Sequence, residues 1–147
     1  MNTTLRCLAL FLACAVALAA RASDDLKLLT GTWKPAKAEI GGTAIPQPIL
    51  DTITLKLDGI RYEVLVMTQK GPSPDRGTIG IDPSATPKGM TVTGIEGPNA
   101  GKTFPAIYEI SGDTLRICYD LSGQKRPPEF ATKPGTALYF VTYQRAK

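Results

Sequence analysis

The residues of this chain that come closest to chemistry are the run Gly-Pro-Asn-Ala-Gly-Lys-Thr at 97–103 and a cysteine, Cys118, in Thr-Leu-Arg-Ile-Cys-Tyr. A phosphate-binding loop needs four residues between its glycines, so that successive backbone N–H groups curl round the anion, and a helix opening at its Lys-Thr. Gly97 and Gly101 enclose only Pro98, Asn99 and Ala100, and Lys102-Thr103 leads into Phe104-Pro105 and then Ala106 to Ile110, an alternating run of β-branched and aromatic types. The expectation is a turn between strands with Lys102 in solvent. The chain contains no histidine, which removes the commonest general base, the usual metal ligand and the Ser-His and Cys-His pairs. Cys118 has Arg116 on its side of a strand but no His partner, so packing is its expected role. Glu63, Glu109 and Glu129 could serve paired-carboxylate chemistry only if barrel closure brought their strands or loops together, and alternation turns Glu63 and Glu109 outward. These absences describe a protein that binds without reacting: no catalytic residue, no cofactor and no metal site.

The N-terminal segment is read as a targeting signal. Arg6 supplies a positive start, residues 7–20 (CLALFLACAVALAA) are uncharged and apolar, and Ala20-Arg21-Ala22 is a small-x-small cleavage site. Cleavage after Ala22 exports the chain to the periplasm or beyond, with residues 1–22 as signal peptide and 23–147 as one domain. Acylation of Cys14 and retention as an uncleaved anchor are the alternatives. The run is short for a transmembrane span, so no membrane span is expected after cleavage. Cys7 and Cys14 leave with the signal, so Cys118 has no partner within the chain and is either buried or open to pairing between molecules. Without Arg6 and Arg21 the formal charge of +4 falls to +2, too little for a nucleic-acid footprint.

The domain must place these residues on strands. After one or two helical turns at 24–29, period-two alternation marks strands at 32–40, 52–57, 60–66, 78–82, 90–95, 103–110, 114–119 and 137–144. Asp58-Gly59 and Ser111-Gly112-Asp113 are short enough only for hairpins, and Gly-Pro-Ser-Pro-Asp at 71–75 reads as a separator. Eight strands in a meander predict an all-β, antiparallel, up-and-down barrel with a short N-terminal helical turn. A short helix after Pro48 would cap one end, and Phe130 would anchor the long 120–135 stretch at the barrel rim. Alternation turns Ile53, Leu55, Leu57, Tyr62, Val64, Val66, Ile79, Ile81, Met90, Val92, Ala106, Tyr108, Ile110, Leu115, Ile117 and Tyr119 inward. The last strand is apolar on both faces, and its outer face would be covered by the N-terminal turn or a second subunit; Phe140 is assigned to the interior.

Gly31-Thr32-Trp33 at the head of the first strand resembles the G-x-W of the lipocalins. The resemblance implies that Trp33 closes one barrel end and that Arg145, just after the last strand, lies across it. LTGTWK, EGPNAGKT, IYEISGDTLRICY and RPPEFATKPG together resemble segments of a bacterial family of small exported lipocalin-like domains of unknown function. That implies fold and export, and no catalytic or ligand residue.

Two functions fit. In the first, the barrel carries a small hydrophobic ligand, with Tyr62, Val64, Ile79, Met90, Tyr108, Ile117, Tyr119 and Phe140 lining the interior and Trp33 and Arg145 structural. In the second, the barrel is packed solid and works as a protein-interaction module of the cell envelope, with a homodimer through the last strand as one form.

Overall fold

The computed structural model describes residues 3–147, with side chains from Cys14 onward; Arg6, Cys7 and the first half of the apolar run lie outside the described side chains. A helix, α1 (Thr3–Leu29), leads into β1 (Gly31–Ile40) and a two-residue β2 (Thr43–Ala44). Then come α2 (Gln47–Leu50), β3 (Ile53–Asp58), β4 (Arg61–Thr68), β5 (Gly71–Asp82), β6 (Gly89–Glu96), β7 (Thr103–Ser111), β8 (Thr114–Asp120) and β9 (Leu138–Arg145). Every pairing is antiparallel, neighbours in sequence are neighbours in the sheet from β3 to β9, and β9 pairs back onto β1. This closes an eight-stranded barrel with β2 as a small hairpin appended to β1. Closure pairs β1 with β9, the two strands whose outer edges an open meander would leave exposed.

Gly59 and Gly112 sit at φ +57° and +58°, the left-handed backbone that a two-residue hairpin between twisted strands requires. Trp33, Leu55, Leu57, Met90, Ala106, Leu115, Ile117 and Val141 are all at most 3 % exposed and form the core inside the barrel. The expected inward parity of β3, β4, β7 and β8 is the observed one.

Five expectations are corrected. The helical turns at 24–29 are the last turns of a helix that begins at Thr3, so the expected cleavage point after Ala22 falls inside it. Residues 71–75 are strand, not separator: Pro72 pairs with Met67 and Pro74 with Leu65. Proline is tolerated there because β6 pairs with β5 only from Arg76 onward, leaving that edge of β5 without a ladder to break. Phe130 is not at the rim, and Phe140 is not inside. Val141 and Tyr143 of β9 are buried in the core with Tyr139 packed against it, so Phe140 points outward, its ring 6.0 Å from that of Phe130. The outer face of β8 and β9 is therefore covered by the chain's own 121–137 segment rather than by α1. That segment is tied down by Thr132, whose N–H and hydroxyl donate to Glu39, and by burial of Pro127.

Candidate functional site

The two ends of the barrel differ. At the end where β1 begins, α1 and the strand after it form a plug. Trp33 is fully buried and its indole N–H donates to the Leu29 carbonyl at 2.8 Å. The Arg145 guanidinium lies 4.2 Å from the Trp33 ring centroid and donates to the carbonyls of Leu28 (2.8 Å) and Thr30 (3.0 Å), with Asp113 at 3.2 Å. Arg145 thus satisfies a carbonyl that the last turn of α1 leaves open and sets a cation at the negative helix end. Gly31 is required by this packing. A Cβ there would stand 2.6 Å from Arg145 Nη1, on a backbone at φ +150°.

The plug carries a second fixing point. Asp25 of α1 is buried and its Oδ2 accepts the Tyr108 hydroxyl at 2.6 Å and Lys88 Nζ at 2.7 Å. Burial pushes the Asp25 pKa up, but the hydrogen bonds from Lys88 and Tyr108 and the Lys88 charge outweigh it and hold the carboxyl below its ordinary value. Tyr108, placed in the interior by its alternation, is 1 % exposed, and its hydroxyl is committed to the plug.

The opposite end is open. A cavity of about 230 Å³ reaches from a floor at Leu57, Met90 and Ile117 to a rim at Ile53, Val66 and Leu121, the last of these 36 % exposed. Its walls are Leu55, Val64, Ile79, Val92, Phe104 and the rings of Tyr62, Tyr119, Tyr139 and Tyr143. Of the residues assigned to the interior, Tyr62, Val64, Ile79, Met90, Ile117 and Tyr119 line this cavity. Tyr108 lies in the core outside it, and Phe140 is on the outer wall.

Two polar side chains besides the tyrosines enter the cavity, Asp75 and Asn99. Asp75 is 8 % exposed; its Oδ1 accepts the Asn99 N–H (3.1 Å), and its Oδ2 accepts Asn99 Nδ2 (2.9 Å) and, more weakly, the Tyr62 hydroxyl (3.4 Å). Burial, then the neighbouring Asp75 charge and hydrogen bond, push the Tyr62 phenol up to about 12. Burial also raises Tyr119, Tyr139 and Tyr143, so the cavity's phenols stay neutral at any ordinary pH.

Asn99 belongs to the glycine-rich run that the phosphate-loop test rejected. The run is a tight hairpin loop, closed by Gly94 N–H to Lys102 O and Gly101 N–H to Gly94 O, with Lys102 exposed. It folds back over the place where β5 and β6 part, so closely that a Cβ on Gly94 would stand 2.0 Å from the Asn99 carbonyl. Sequence reasoning missed Asp75, Asn99, Phe104, Tyr139 and Tyr143. For Asp75 a signal was present: counting back by twos from Ile79 through Gly77 reaches it on the inward parity.

Cys118 shares the outer face with Ile107 and is fully buried under the 121–137 segment, its Sγ 3.7 Å from the Ala131 carbonyl. Burial pushes the thiol up to about 11, the opposite of an activated nucleophile. Arg116 is taken up by Phe130 and Phe140, whose ring centroids lie 4.3 and 5.6 Å from its guanidinium carbon. Among the described residues there is no cluster of side chains with metal-binding composition, and no helix long and apolar enough to cross a membrane.

A closed eight-stranded antiparallel barrel with a plug at one end and a cavity at the other is a lipocalin-like fold. Among solved structures the chain is similar to a lipocalin-like protein from Bacteroides uniformis ATCC 8492, with a TM-score of 0.53 at 11 % sequence identity over 81 % of this chain and 99 % of that one. An uncharacterized protein from Bacteroides eggerthii DSM 20697 gives 0.49 at 10 % identity, over 80 % and 99 %. No protein-family model and no curated protein matches the sequence.

Proposed function

We propose that the protein is an exported, non-enzymatic binding protein of the lipocalin-like kind, akin to the small bacterial domains its sequence segments resemble, and that it holds a small, largely apolar ligand in the open half of the barrel. The observation that carries this reading is the cavity itself. Eight strands enclose just enough room for side chains or one small ligand, and here side chains fill the plugged half while about 230 Å³ is left open in the other. That is just below the roughly 300–1,000 Å³ of drug-sized pockets, which suits a small or slender molecule. Export rests on Arg6, the apolar run to Ala20 and the Ala20-Arg21-Ala22 site. The absence of histidine from the chain supports binding over catalysis. A homodimer through the last strand has less to recommend it, because β9 is paired on both edges and Phe140 is covered by the chain's own segment.

The test is native mass spectrometry of protein purified from its own host, followed by organic extraction. The expected result is a monomer carrying one discrete added mass, and a chain beginning at Ser23. A clean apo mass would overturn the carrier reading in favour of a packed barrel acting through its surface.

A further inference from the structure

The cavity holds a carboxylate and no counter-ion. The described chain contains three buried aspartates, and two of them are provided for. Asp25 has Lys88, and Asp120 accepts from the N–H groups of Ser122, Gln124 and Lys125 and from the Ser122 hydroxyl, all within its own turn. Asp75 faces an apolar cavity, and among the described residues no Lys or Arg lies within ion-pair distance of it or lines the cavity. Its only donors are Asn99, on an exposed turn, and Tyr62 at 3.4 Å. Taking a carboxylate out of water is costly unless hydrogen bonds and opposite charge replace the water, and Asp75, on the cavity, has three hydrogen bonds and no opposite charge. Five aromatic rings share the cavity wall with its aliphatic side chains: Tyr62, hydrogen-bonded to Asp75, then Phe104, Tyr143 and the stacked pair Tyr119 and Tyr139, their centroids 5.7 Å apart. Aromatic rings beside an acidic group are the surroundings in which proteins hold ammonium ions, through the ring quadrupole and the opposite charge together.

We infer that the barrel selects a small organic cation, an ammonium head on an apolar body, with Asp75 as its counter-ion and the tyrosine rings as its walls. The inference rests on the carrier reading and narrows it. A fatty acid or any other anion of the same length would bring like charges together in a water-poor site and be rejected.

Three probes of equal chain length decide it: n-octylammonium, n-octanol and octanoate, titrated calorimetrically into the full chain at neutral pH. The expected order is ammonium, then alcohol, then carboxylate, with the ammonium favoured over the alcohol by about tenfold or more, as for a charge-assisted contact. Asp75→Asn should bring ammonium and alcohol to within about twofold, with most of the change in the ammonium's affinity. Asn99→Ala, which removes the amide and leaves the carboxylate, should keep the ammonium preference, and it serves alone if Asp75→Asn fails to fold by circular dichroism. Equal binding of all three, a preference for octanoate, or an ammonium preference that survives Asp75→Asn would overturn the inference and leave the carrier standing. If none of the three binds, the carrier reading falls with it.

Discussion

Replacing Asp25 with alanine takes away the one acceptor that two donors share, and the cost can be worked out from their surroundings. Tyr108 is 1 % exposed and its hydroxyl has no other hydrogen-bond partner among the described residues. Stranding a buried donor costs about 1–3 kcal/mol. The Lys88 side chain is 41 % exposed, so water replaces the carboxylate and that loss is about 0–1 kcal/mol. The variant should therefore lose about 1–4 kcal/mol, a large share of a domain's stability. Adding Tyr108→Phe removes the stranded hydroxyl, so the double variant should be more stable than Asp25→Ala alone by about 1–2 kcal/mol, although Tyr108→Phe by itself is destabilising. The assay is urea unfolding followed by the fluorescence of Trp33, the chain's single tryptophan and fully buried. The pH dependence has a definite sign. Because the folded carboxyl titrates below its unfolded value of about 3.9, the Asp25 contribution is complete above that pH and is lost as pH falls through the folded value. An Asp25→Ala midpoint equal to wild type at neutral pH, or a Tyr108→Phe penalty unchanged in the Asp25→Ala background, would refute the plug as described.

Trp33→Ala should cost about 3–5 kcal/mol, as for any large aromatic emptied from a closed core, and calorimetry showing an unchanged Tm would sink its placement under Arg145. All five tyrosines have pKa values raised above the ordinary 10 by burial, Tyr62 to about 12. Their contribution is intact below the unfolded value near 10 and is lost as pH rises through the folded ones, so tyrosinate absorbance should appear together with alkaline unfolding; a phenol ionising near pH 10 in a protein with native circular dichroism contradicts this. Cys118 should resist a thiol reagent in the native state and react once the chain is unfolded in urea, as peptide mapping would show; modification of the folded protein at that residue would mean that the 121–137 segment does not cover it.

How far the sequence reaches is clearest on individual strands. On β3, β4, β7 and β8 one residue in two is apolar, and because successive side chains of a strand point to opposite faces, that pattern alone places Leu55, Tyr62, Tyr108 and Ile117 inside. Pro72 and Pro74 hid Asp75, since proline reads as a turn unless the neighbouring strand is known to stop short of it. On β9 both faces are apolar, so parity is silent: Tyr139 and Tyr143 line the cavity while Phe140 packs beneath Phe130. Arg145 over Trp33, in contrast, was expected through a resemblance and not through any pattern within the chain.

The number of barrel strands, the hairpins at Asp58-Gly59 and Ser111-Gly112-Asp113, the barrel class and the inward residues of most strands were settled by the sequence, because alternation and turn chemistry act over two to six residues; the hairpin between β4 and β5 was not. Which end is plugged, which is open, what covers β9 and that a carboxylate faces the cavity were decided only by the tertiary structure. Each depends on groups far apart in the chain, such as Asp25 with Tyr108, Asp75 with Asn99 and Cys118 with Ala131, which meet only when the barrel closes.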